Sequence, residues 1–267
     1  MPASGPAAVV YFNAMPIRDL QTDNHAHRPA RRSVRSCRML RQINIAAAVL
    51  TILTTIGGGV ATGQPLDRSL ATQAYNVVEN WVARGQTPAH TVAIEAEDVA
   101  AVHVAIRFQG VALGQAITAM NHPRQLLAER EARDFMPLLL DATKLAISET
   151  RKSLIALSAK PGGNALPQDY REIAPLLQLD IEFARPPQPL ILDQPSDLPT
   201  RMIVGQHGLA MTHNDQWAWV FPGTAVASNL SLPDQLNRLL REHGLDITQL
   251  GAVSKQRAFM RFEVMHL

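Results

Sequence analysis

The sequence predicts an α+β fold, a mixed or antiparallel sheet of hairpins packed by helices, and three observations carry that reading. Apolar residues alternate at Val102, Val104, Ile106 and Phe108, and again at Leu177, Leu179, Ile181 and Phe183, the period of strands with one buried face. Apolar residues recur at helical spacing over 66–83, and the stretch from Ser231 to Gly244 carries helix start and stop signals. Hairpins and helices are interspersed, which disfavours a doubly wound parallel sheet.

Taken in order, Leu66, Leu70, Val77, Val78, Trp81 and Val82 define the first helix, with Gly85 placed to end it. Gln109-Gly110 turns the strand 102–108 into a second extended piece, Val111 to Ile117, so a β-hairpin is expected. Residues 124–156 read as helix, with a break expected at Pro137. Pro161-Gly162-Gly163-Asn164 is a loop. The strand at 177–184 is interrupted by Arg185-Pro186-Pro187 and Pro189, and its polar residues Asp180 and Glu182 are expected on the solvated side.

The densest block runs from Gly205 to Leu245. Gly205 and Gly208 flank a turn, Leu209–Met211 and Trp217–Phe221 can pair, and His213-Asn214-Asp215 makes the tip. Ser231 begins a Ser-x-x-Asp cap with Asp234, Pro233 suits the first helical turn, and Gly244 supplies the stop. Alternation at Ala258, Met260, Phe262 and Val264 predicts a closing strand.

At 267 residues and 46% hydrophobic content the chain can bury an ordinary core. Its formal charge of +2 is unevenly spread. Residues 1–63 hold seven arginines against Asp19 and Asp23, which leaves 18 basic and 21 acidic groups in the remainder, a net of −3. That mildly acidic body has no footprint for phosphates, so nucleic acid is not an expected partner. Residues 1–38 read as a disordered or mis-started leader, with Met39 an alternative start. Arg31, Arg32, Arg35, Arg38 and Arg41 precede an uncharged run from Ile43 to Gly63, and Ala61 and Gly63 fit a small-residue cleavage site. Residues 39–63 are therefore expected to be a signal peptide, with an uncleaved membrane anchor through 43–63 as the alternative, and 64–267 to be the exported periplasmic or extracellular domain. The lone Cys37 precedes that run, so the mature chain would carry no thiol chemistry.

Several pieces fall in the order found in one family: the strand VHVAIRF, the stretch ALGQAI, QLDIEFARPPQPL, VGQHGLAM, Phe221-Pro222 and LNRLLREHGL. In that succession the chain, from about Leu66 to Met265, resembles the AMME chromosomal region protein family, whose bacterial members include AmmeMemoRadiSam system protein A. The resemblance implies an AMME-region-like domain and points to Memo-like or radical SAM-type proteins as partners by context. It does not supply a reaction. Where the family has Leu-Arg-Gly-Cys-Ile-Gly, this chain has Ala112-Leu113-Gly114-Gln115-Ala116-Ile117, so the family arginine is replaced by Leu113, its cysteine by Gln115 and only the glycine remains. The family's Pro-Gln is Pro222-Gly223.

The expected pocket comprises Gly114, Gln115, His207, Gly208 and Pro222, with His207 and Gln115 the candidates for catalysis. His103 is expected to be exposed, Asp180 and Glu182 are a candidate carboxylate pair on one strand face, and Trp217 and Trp219 share a face suited to core packing. No metal and no cofactor are expected, because neither a close histidine pair nor a nucleotide fingerprint is present. The function expected is a binding or accessory module for a small molecule or protein. The alternative is an exported enzyme with a rebuilt pocket near Gly114, Gln115 and His207, which requires these groups to converge with an acid.

Overall fold

The computed structural model describes residues 8–10, 65–88, 93–120, 133–159, 169–192, 194–249 and 259–267. The expectations for the signal segment 39–63, for Met39 and for the loop at 161–164 lie outside these residues. Helix α1 (Arg68–Arg84) starts where the Asp67 carboxylate accepts the backbone N–H of Leu70 at 2.8 Å, and ends at Gly85 in the left-handed region. Strands β3 (Ala101–Phe108) and β4 (Val111–Ala119) form the expected hairpin, with Gln109 and Gly110 both at positive φ. Strand β6 is Leu177–Ala184, β8 is His207–His213, β9 is Gln216–Val220 and β10 is Phe259–His266.

The main sheet runs β1-β4-β3-β6-β10-β8-β9, with β1 at Ala8–Val10 and the short β7 (Gln188–Pro189) pairing β10 beside this path. Every pairing is antiparallel. The α+β class is thus observed, in its antiparallel form. Strand β1 falls in the stretch read as a leader and pairs Val9 with Thr118. A separate two-stranded ladder joins β2 (Glu95–Ala96) to β5 (Arg133–Asp134).

Helix α2 (Met136–Ser158) packs on the β3–β4 hairpin. Pro137 lies in its first turn, so it starts the helix and does not break it, because a proline there loses no intrahelical hydrogen bond. Close packing is permitted by Gly114, where a Cβ would lie 2.1 Å from the Ala146 carbonyl oxygen. Val102, Val104 and Ile106 join α1 and α2 in one core cluster. A second cluster joins the β8–β9 hairpin to α6 (Leu232–Glu242), whose Ser231/Asp234 capping box forms as the sequence predicts. Short helices α3 (Tyr170–Ile173), α4 (Leu198–Arg201) and α5 (Pro222–Ala227) fill the connections.

The sheet therefore buries both faces. On the side away from α2, Ala101, Ile117, Ala119, Ala184, Ala210, Trp219, Phe221 and Phe262 form a third apolar cluster. Among the described residues no helix is long and apolar enough to cross a membrane.

Candidate functional site

Period-two geometry decides which predicted residues meet. On β3 and β4 the pairs His103–Ile117 and Ala105–Gln115 place Gln115 on the face opposite α2. Gly114 turns the other way, toward Ala146 and Thr150. On β8, Gly208 pairs with Phe262 and lies beneath its ring, where a Cβ would stand 2.1 Å from it. Its neighbour His207 points to the opposite face, and its Nδ1 accepts the backbone N–H of Ile203 at 2.9 Å. Pro222 is buried at the start of α5. The five predicted pocket residues are thus split between the two faces of the sheet, and Gln115 and His207 do not converge. The buried Oε1 of Gln115 has no hydrogen-bond partner among the described residues.

The polar centre of the molecule lies elsewhere. His103, expected to be exposed, is 1% exposed, and Glu182, expected on a solvated side, is 2% exposed. The reason is the third apolar cluster: because it covers the second face of the sheet, side chains on that face are as buried as those under α2. Register opposes His103 to Glu182 across β3 and β6. His103 Nδ1 and Glu182 Oε2 are 2.6 Å apart, and His103 Nε2 lies 3.2 Å from the Thr224 hydroxyl on α5.

The other carboxylate oxygen is equally occupied. Glu182 Oε1 accepts the Gly223 backbone N–H at 2.9 Å and faces His266 Nδ1 at 3.1 Å. His266 Nε2 in turn faces the Gly205 carbonyl oxygen at 3.1 Å. The His103 ring packs on Phe221 with centroids 5.3 Å apart. In the neutral tautomer protonated at Nδ1, His103 donates to the carboxylate and its Nε2 accepts from the Thr224 hydroxyl.

Asp180 does not act with Glu182. It pairs with Arg107, so the two carboxylates of the expected pair serve different partners. Trp217 and Trp219 stack with centroids 5.5 Å apart, and Trp219 is fully buried, in keeping with core packing. Among the described residues no group of three or more His, Cys, Asp or Glu is placed to hold a metal ion.

No family model matches the chain, and no curated protein matches it. Among solved structures, an uncharacterized protein from Pyrococcus horikoshii is similar over 74% of this chain and 87% of its own, at 16% identity and a TM-score of 0.41.

Sequence reasoning missed Thr224 altogether and misplaced His103 and Glu182. One signal was available. Ala101 and Ala105 flank His103 on its own side of the strand, and small apolar residues there mark a face that is covered.

Chemically, a hydroxyl, an imidazole and a carboxylate stand in the order used for nucleophilic catalysis. Access argues the other way. Thr224 is 1% exposed, so its hydroxyl faces no solvent from which a substrate could approach. What the cluster does do is tie β3, β6 and β10 to α5 through polar contacts of His103, Glu182, Thr224 and His266.

Proposed function

We propose that the protein is an exported, AMME-region-like binding or accessory module, and that its buried polar cluster is a structural clasp. One observation carries this reading: the nucleophile-like hydroxyl, the imidazole and the carboxylate are all sealed from solvent and satisfied by one another. The separation of Gln115 from His207 supports it, because the rebuilt pocket of the enzymatic alternative requires both on one face. Export rests on the basic flank and apolar run of residues 31–63, and N-terminal sequencing of the secreted protein checks it by finding Gln64 first. Memo-like or radical SAM-type proteins are the partners this ancestry suggests.

The order Thr224–His103–Glu182 defines the competing reading, an acyl-transfer enzyme, and the two differ in the fate of Thr224. Incubation with fluorophosphonate and activated-ester probes, followed by intact-mass and peptide mass spectrometry, separates them. A clasp leaves Thr224 unmodified, and Thr224→Val changes only the unfolding midpoint. A covalent adduct on Thr224 that disappears in His103→Gln overturns the binding-module reading.

A further inference from the structure

Away from the clasp, α1, Ala174, Pro175 and the start of β6 line an open groove of about 350 Å³. Val82, Leu177 and Leu179 supply its apolar walls, and Tyr75, Glu79 and Gln178 are its polar groups. Glu79 follows Tyr75 by four positions, so one face of α1 presents both. Among the described residues no arginine, lysine or histidine lines the groove. Glu79, the one charged group among the described lining residues, is therefore an exposed carboxylate set beside apolar walls and a phenol. The volume lies within the range of small-molecule sites.

We infer that this groove binds a small primary amine in its ammonium form, with the apolar body of the ligand against Val82, Leu177 and Leu179 and its charge between Glu79 and the ring and hydroxyl of Tyr75. The class follows from complementarity. An anion would meet Glu79 with no countercharge, and a purely apolar ligand would leave that carboxylate beside it without return. An ammonium donates hydrogen bonds to carboxylate and phenol oxygens and is attracted to an aromatic face. Burial, followed by the charges of Glu79 and Asp180, pushes the Tyr75 hydroxyl above its ordinary range, so it stays a neutral donor and acceptor at physiological pH. Asp180 is itself paired with Arg107, which leaves Glu79 as the carboxylate available to a ligand.

This inference deepens the binding-module reading and rests on it. The test titrates the isotopically labelled full chain with n-pentylammonium and, in parallel, with n-pentanol, following backbone amides by NMR. The expected result is saturable shifts at Tyr75, Glu79, Val82 and Gln178 with the amine, weakened about threefold to fivefold by Glu79→Gln and by raised salt, and weaker binding of the alcohol. Equal binding of amine and alcohol, or an amine affinity unchanged in Glu79→Gln, overturns the assignment of the groove. Saturable shifts confined to other residues overturn the groove while leaving a binding module in place. The Thr224 labelling described above bears on the module alone, so the two failures are distinct.

Discussion

A Cβ at position 223 would stand 2.6 Å from Oε2 of Glu182, so glycine is what lets the carboxylate accept the Gly223 N–H while reaching His103. Pro222-Gly223, where the resembled family has Pro-Gln, is thus coupled to a buried acid on a distant strand. Gly223→Ala should force Glu182 out of its seat and lower stability by about 1–3 kcal/mol, measured by urea denaturation. A loss below about 0.5 kcal/mol would mean that the carboxylate has room to move. His243 offers a second residue-scale test. Burial, reinforced by the neighbouring His213, holds its imidazole below the ordinary 6.5, and its buried Nε2 has no partner among the described residues. The unfolded chain therefore takes up the proton first as pH falls through 6.5. This contribution to stability is present above that pH and is lost progressively below it. Denaturation midpoints across pH 5 to 8 should fall on the acid side, and His243→Gln should flatten that slope.

At the scale of elements, the cap of α6 and the seat of α2 are the most exposed to test. Ser231→Ala removes one half of the box with Asp234 and should cost about 1 kcal/mol, read as a lower melting temperature. Gly114→Val should cost more, because the added side chain meets the backbone of α2 at Ala146 and Thr150 and not a flexible side-chain end. The cap of α6 was legible in the sequence, whereas α2, expected over 124–156 with a break at Pro137, starts only at Met136 after the strand Arg133–Asp134. The capping box, Gly85, the Gln109-Gly110 turn and the alternating strands are local signals, and local signals survive folding. What was not legible depends on partners far along the chain. Alternation in β3 and β6 showed that Val102 and Ile181 face a core, but beyond the small residues Ala101 and Ala105 beside His103 nothing local announced Phe221 and Phe262 closing over the other face. Parity in a strand separates two faces without saying that one of them is wet. The same lesson applies to His207 and Gly208. Adjacency in sequence suggested one pocket, whereas adjacency in a strand sends the two residues to opposite sides.

For the whole molecule, the buried members of the three core clusters run, among the described residues, from Leu66 to Phe262. If these clusters suffice for folding, a chain beginning at Gln64 keeps its far-ultraviolet circular dichroism and a cooperative thermal transition; loss of the transition would contradict that. Removing residues 1–63 also removes β1, so hydrogen exchange should quicken at the outward amides of Ile117–Ala119. The clasp links four elements of this fold, since His103, Glu182, Thr224 and His266 come from β3, β6, α5 and β10. Its role is tested most directly by a double-mutant cycle on His103 and Glu182, with unfolding free energies measured in urea. A structural clasp predicts that His103→Ala and Glu182→Ala each cost about 3–5 kcal/mol and that their combination costs at least 1 kcal/mol less than the sum. Additive losses of a few tenths of a kcal/mol, with unfolding midpoints close to the parent protein, would contradict it.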